Sequence, residues 1–298
     1  ERPRGAMVEG PGCTNNGRRA RVLVGRRVLQ ASASNAALVA AVQGRTLVAT
    51  LTLGKELWLF FAAPASAAGP TPAAAPAAAD AGEVAVRIHF GMSGSLHFDG
   101  ATPRFGGASA TPALALTFDG NRTLQAIGAT AGLERSAAAA RAKHAEGLRR
   151  DVCASVSDFS AGACAAAVRA LPPETLVADA VLDQVVFPGA GNIIKNEALH
   201  RARMHPLRRT SSLRAEELER VVMEVRDFSI RWLRAGRAPE SLIYNRTACR
   251  ECGAAVRLQK LGERGLQRVT FWCTACTPSA ASGAVAGAAG AASAAPAE

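Results

Sequence analysis

Four of the seven cysteines in this 298-residue chain stand as two pairs, Cys249-x-x-Cys252 and Cys273-x-x-Cys276, with twenty residues between the pairs. Each pair is a knuckle that turns two thiolates toward one ion, and the intervening stretch is long enough for a hairpin that brings the knuckles together. Four thiolates close a tetrahedron and leave no position for a reacting water. The spacing therefore predicts a structural zinc ion (Zn2+) in a β-hairpin finger, not a catalytic metal. Cys13, Cys153 and Cys164 are scattered, and an odd count without a secretion signal favours a reducing compartment over a disulfide scaffold.

The hairpin between the knuckles is basic at Arg257, Lys260, Arg264 and Arg268, against Glu263 alone. The formal net charge of the whole chain is +11, which favours a polyanionic partner. No run of eighteen aliphatic residues suggests a membrane span, so nucleic acid is the expected partner, with no membrane. Two alanine-rich stretches, Ala62 to Gly82 and Pro278 to Glu298, read as solvated low-complexity sequence outside any core.

Between these features the pattern changes once. Short apolar runs broken by Gly, Arg and Asn from Arg18 to Thr52 predict strands joined by turns. Glu56 to Phe61, Val84 to Phe90 and Leu114 to Phe118 read as further strands, the last followed by an Asp119-Gly120 turn. Helical spacing then takes over at Ala137 to Leu148, Ala161 to Ala170, Ala178 to Phe187 and Asn192 to Met204, with another helix from Ser212. The expected class is α+β: an N-terminal β-sandwich domain, then a C-terminal helical domain closed by the finger.

The turn Pro188-Gly189-Ala190-Gly191 leads into a helix whose first N–H groups are suited to a phosphate, with Asn192 adding a side-chain donor. From Lys195 to Arg214 six basic residues accompany one acid, which predicts a strongly positive surface. Pro188 to Leu199 (PGAGNIIKNEAL) resembles the helix–two-turns–helix motif of the formamidopyrimidine-DNA glycosylase/endonuclease VIII family, and a finger follows at that family's distance. Further matches come in the family's order: Met7-Val8-Glu9-Gly10-Pro11-Gly12-Cys13-Thr14, Thr52-Leu53-Gly54-Lys55-Glu56-Leu57, His89-Phe90-Gly91-Met92, Asp151-Val152-Cys153 and Arg226-Asp227-Phe228-Ser229-Ile230. They run from Met7 to Cys276, and the start resembles a branch that has valine where most members have proline.

The resemblance implies a division into residues 1–7, an extension to be removed; 8–147, the β-sandwich catalytic domain with an alanine-rich insert at 62–82; 148–240, the helical domain carrying the helix–two-turns–helix motif; 241–277, the four-cysteine finger; and 278–298, a disordered tail. It implies a DNA glycosylase and AP lyase of base excision repair, acting through a Schiff base. An α-amine has a pKa of about 7.7–8.0 and is roughly a quarter neutral near pH 7.4, against about 0.1% for a lysine near 10.4. The terminal amine of Val8, exposed once Met7 is removed, is then the expected nucleophile. Glu9 is expected to protonate the sugar ring oxygen, and Lys55 to act at a phosphate beside the lesion. Asn192 and Arg268 are expected to clamp phosphates, and Met92 to fill the gap left by the flipped nucleotide.

Leu124 to Glu134 offers neither the arginine nor the aromatic that completes the family's wedge, and Gly12 replaces a second glutamate of its proline-started members. These departures imply single-stranded or open damaged DNA as partner, with hydantoins and oxidised pyrimidines as substrates. A monomer in the nucleus is expected. Two other readings compete: a non-catalytic zinc-finger DNA-binding protein, and a duplex-specific 8-oxoguanine glycosylase.

Overall fold

The computed structural model describes residues 8–64, 82–91, 94–100, 111–262 and 267–277. The 1–7 extension, most of the alanine-rich insert, Met92 and the 278–298 tail lie outside the described residues.

The first expectation to fail is the run of strands from Arg18 to Thr52. The chain opens with a helix, α1 (Gly10–Ala20), and a 3-10 turn over Arg21–Leu23. Glu9 is its extended N-cap and a proline lies in its first turn, where a missing N–H costs nothing. A second short helix, α2 (Ala36–Val42), starts because the Asn35 side chain accepts from the N–H groups of Ala37 and Leu38 at 2.9 and 3.4 Å. Only β1 (Val28–Ala33) and β2 (Thr46–Leu53) in this region are strands.

β3 (Glu56–Ala62), β4 (Val84–His89) and β6 (Leu114–Phe118) fall where the sequence predicts them. With β5 (Ser95–Phe98), β7 (Arg122–Ile127) and β8 (Thr130–Leu133) they form two antiparallel four-stranded sheets, ordered β1-β6-β7-β5 and β2-β3-β4-β8. Leu57, Leu59 and Phe61 of β3 join Val28, Leu116, Phe118 and Leu124 of the other sheet in one buried cluster. The alternate residues Trp58 and Phe60 bury instead beneath Ala137 and Ala140 of α3 (Ala137–Gly147). Both faces of β3 are thus covered, which is why its sequence is a continuous apolar run and not an alternating one.

The helical half contains α4 (Ala161–Arg169), α5 (Val177–Leu182), α6 (Asn192–Arg201) and α7 (Ala215–Ala235), packed about Val181, Phe187, Ile194, Val222 and Phe228. Three ends differ from the spacing. α5 stops at Leu182 because the Asp183 carboxylate accepts the N–H of Val185 at 2.7 Å, the bond of a turn. α6 stops at Arg201, two residues before Arg203 takes a positive φ of 54°. α7 begins at Ala215 and not Ser212, where Glu217 reaches back to the N–H of Arg214 at 2.9 Å. β9 (Val256–Leu261) and β10 (Arg268–Cys273) pair antiparallel as the last hairpin. Among the described residues no helix is long and apolar enough to cross a membrane.

Candidate active site and nucleic-acid face

Three segments far apart in sequence meet backbone to backbone. The N–H of Gly10 donates to the carbonyl of Gly189 at 2.8 Å, and Gly54, at the β2–β3 turn, touches the same loop. Gly54 has φ 58°, and a Cβ there would lie 2.7 Å from the nitrogen of Gly189, so both conformation and contact demand glycine. Asp151 braces the arrangement. Its carboxylate accepts from the N–H of Gly54 at 2.8 Å and of Cys153 at 2.6 Å, and burial pushes its pKa up to about 6. The N–H of Val152 donates to Pro188, while Arg226 donates to the carbonyls of Val152 and Ala154. The Asp151 and Arg226 motifs therefore fasten together the segments that converge at the site.

Glu9 is delivered by this contact to the start of α6. It is 1% exposed, and its two oxygens accept from Ile193 at 2.8 Å and Ile194 at 3.1 Å. Gly191, immediately before the helix, leaves the room: a Cβ there would sit 2.4 Å from the carboxyl carbon of Glu9. The carboxylate occupies the anion position of a helix N-terminus. Burial nevertheless raises its pKa, against the opposing pull of those N–H groups and of the Lys55 ammonium. Lys55 moves the other way. Burial lowers its pKa, Glu9 raises it, and the nearby Arg268 guanidinium lowers it further. Val8 precedes Glu9 and packs against the cluster shared by the sheets. The predicted residues Val8, Glu9, Lys55, Asn192 and Arg268 are thus brought to one end of α6; Met92 is not among the described residues.

α6 turns a buried polar stripe toward the finger. Asn192, 8% exposed, donates to the carbonyl of Val269 at 3.0 Å, and its own side-chain oxygen has no hydrogen-bond partner among the described residues. Asn196 accepts the N–H of Phe271 at 2.7 Å. Glu197 accepts three successive N–H groups, from Leu242, Ile243 and Tyr244, at 2.8 to 3.0 Å. Lys195 does not join the positive surface expected between 195 and 214. It is fully buried, donates to the hydroxyl of Thr270 at 2.7 Å, and burial lowers its pKa to about 7. Sequence reasoning missed Asn196 and Glu197; the signal was a helix whose polar residues Asn192, Lys195, Asn196 and Glu197 recur at i, i+3, i+4 and i+5 beside the apolar Ile194, Ala198 and Leu199.

The four paired cysteines place one sulfur each within 4.8 Å of the others. Cys252 lies 3.5 Å from Cys273 and 3.4 Å from Cys276. Each knuckle turns a backbone N–H onto its first sulfur, Glu251 to Cys249 and Cys276 to Cys273, both at 3.4 Å. Soft donors at tetrahedral spacing, with amides that stabilise thiolate charge, can hold one metal ion and fit zinc. Arg268 opens β10 on the strand that ends at Cys273, so the cluster fixes where its side chain begins.

Residues 157–236 match the formamidopyrimidine-DNA glycosylase H2TH domain. Endonuclease 8-like 3 of Mus musculus is 30% identical over 310 aligned positions, covering 91% of this chain and 46% of that protein. Endonuclease 8-like 2 of Homo sapiens is 43% identical over 114 positions, 37% of this chain and 34% of that one. The chain spans about half the length of the endonuclease 8-like 3 relatives. In fold it is similar to Lactococcus lactis formamidopyrimidine-DNA glycosylase bound to DNA containing an AP site, with TM-score 0.70 at 18% identity, covering 91% of this chain and 99% of that one. A viral DNA glycosylase has TM-score 0.71 at 17% identity, covering 91% and 100%. The motif order, the matched domain, the relatives and the fold agree: residues 157–236 are a formamidopyrimidine-DNA glycosylase H2TH domain, in a chain similar over 91% of its length to endonuclease 8-like 3 and sharing the fold of formamidopyrimidine-DNA glycosylase.

Proposed function

We propose that the chain is a bifunctional DNA glycosylase and AP lyase of base excision repair that removes oxidised bases, hydantoins and oxidised pyrimidines, from single-stranded or open DNA. The observation that carries this reading is Glu9: a buried carboxyl beside Val8, held on two N–H groups of α6, with burial raising its pKa. Burial favours the protonated form of such a group, which makes it a better placed proton donor than a solvated glutamate.

In the reaction, the neutral amine of Val8, freed by removal of residues 1–7, attacks the sugar C1′ of the flipped nucleotide. The C1′–base bond breaks and the base departs with the bonding electron pair and a proton from the amine. The nitrogen lone pair then opens the C1′–O4′ bond as Glu9 protonates the ring oxygen, leaving a C1′=N Schiff base. The resulting Schiff base acidifies the neighbouring C2′–H. Loss of that proton and expulsion of the 3′ phosphate cut the strand, and water then hydrolyses the imine and frees the amine. Lys55 and Arg268, converging near Glu9, hold the phosphates beside the lesion. Asn192 would assist once its amide exchanges the Val269 carbonyl for a phosphate oxygen. Met92 would fill the vacated stack. A zinc ion on Cys249, Cys252, Cys273 and Cys276 would supply no chemistry, only hold the finger. A nuclear monomer fits this role.

The reading is tested by excision of a hydantoin placed in the same strand, single or paired, using protein that begins at Val8. Faster excision and strand cleavage on the single strand are expected; binding without base release on either substrate would favour a non-catalytic DNA-binding protein. Preference for 8-oxoguanine in duplex would overturn the substrate assignment.

Arg268→Ala should weaken binding of all DNA sequences alike and flatten the dependence of log affinity on log salt by about one unit, since one phosphate contact releases about one counterion. An affinity titration at several salt concentrations reads this directly, and an unchanged slope would remove Arg268 from the phosphate contacts.

A further inference from the structure

We propose that His200 and Arg203, at the C-terminal end of α6, form an outer shell that retains the metal of the finger, so that the helix holding Glu9 at one end secures the thiolate centre at the other. The proposal rests on the zinc reading of the four cysteines.

Its geometry comes from outside the knuckles. The His200 imidazole is fully buried, and its Nε2 lies 3.7 Å from the Cys249 sulfur and 3.0 Å from a Glu251 carboxylate oxygen. An N–H there donates to both. The opposite ring nitrogen, Nδ1, is buried without a hydrogen-bond partner among the described residues, which suits a bare acceptor better than a stranded donor. Glu251 stands inside the first knuckle, between Cys249 and Cys252, and its other oxygen pairs with Arg203. The Arg203 guanidinium also comes close enough to the Cys276 sulfur to interact with it.

Arg203 has φ 54°, in the left-handed region where a helix ordinarily ends on glycine. An arginine kept there carries a backbone cost that its side chain must offset. The side chain reaches one ligand directly and a second knuckle residue through Glu251.

The chemistry needs such donors. Four thiolates around a divalent zinc leave a net double negative charge, and ligand sulfurs that accept N–H bonds are held in place and protonated less readily. Cys252 is exposed and Cys276 partly so, which makes them the sulfurs that a proton or a competing chelator reaches first. Arg203 covers the Cys276 side of the centre and His200 the buried Cys249 side. His200 sits on the helix whose polar stripe already grips β10, and Arg203 lies just beyond its end.

The test uses the zinc-loaded full chain and follows zinc release to a coloured chelator, alongside zinc stoichiometry and thermal unfolding. Arg203→Gly should release zinc about tenfold faster, while unfolding no earlier than the parent, because glycine relieves the left-handed backbone. A general loss of structure would move both readings the same way. His200→Leu should also accelerate release, and His200→Gln, whose amide can still donate toward Cys249 and Glu251, should restore much of the retention. The proposal is overturned if Arg203→Gly and His200→Leu bind one equivalent of zinc and release it at the parent rate. Less than one equivalent in the reconstituted parent would instead overturn the zinc reading, and the outer shell would fall with it.

Discussion

Glu9→Gln should slow base excision about a hundred- to ten-thousandfold, the usual worth of a positioned acid, while changing DNA affinity little. The amide keeps the volume of the carboxyl but has no proton to give to the sugar ring. It also disturbs the clasp on α6. A carboxylate accepts from Ile193 and Ile194 with separate oxygens, whereas the amide offers one acceptor and turns its NH2 toward the second donor. A buried N–H left unpaired costs about 1–3 kcal/mol, so the variant should also unfold at a lower temperature. The pH profile separates the two effects. Excision by the parent should fall on the acid side as the Val8 amine gains a proton, and on the alkaline side as Glu9 loses the one that burial helps it keep. In Glu9→Gln the alkaline limb should disappear and the acid limb remain. Single-turnover excision of a hydantoin from a single strand measures all of this. A variant that unfolds earlier but excises at the parent rate would make Glu9 a helix cap and nothing more.

The local features that sequence makes legible are those whose cause is local. The cysteine knuckles are set by i, i+3 spacing, and the four sulfurs meet as that spacing predicts. β3 is readable because Glu56 to Ala62 is apolar enough for only a buried element, although nothing in those residues says that Trp58 and Phe60 face a helix while Leu57 and Leu59 face a second sheet. α1 is hidden because it begins on Gly-Pro-Gly and carries polar residues through its middle; what holds it is packing against β2, β3 and α7. The candidate site divides in the same way. Glu9, Lys55, Asn192 and Arg268 can be singled out by family resemblance, but the bond from Ile193 to Glu9 spans 184 residues and no local pattern announces it. Lys195 looks like part of a basic surface in the sequence and is buried against Thr270 in the fold, since a charge count says nothing of which side a helix turns inward. Asp151 and Arg226 are picked out by family resemblance alone, which says nothing of their bonds, yet they secure the loop on which the site depends.

The largest effect expected concerns the nitrogen of Val8. With residues 1–7 attached it belongs to a peptide bond, its lone pair is delocalised, and it cannot attack a sugar carbon. Freed, it is an α-amine with a neutral fraction about two orders of magnitude above that of an ordinary lysine at neutral pH. Lys55 is a competing amine, since burial and the Arg268 guanidinium lower its pKa while Glu9 raises it, so the adduct site has to be mapped. Removal of the preceding residues should therefore switch covalent chemistry on without improving DNA binding.

The decisive measurement is borohydride trapping on a single-stranded abasic oligonucleotide, performed in parallel on protein beginning at Glu1 and protein beginning at Val8, with each start verified by intact mass. The account predicts a strong covalent complex from the Val8 form, mapped by peptide mass to the Val8 nitrogen, and little or none from the extended form. Equal trapping by the two forms, or an adduct mapped to Lys55 in the processed protein, would contradict it.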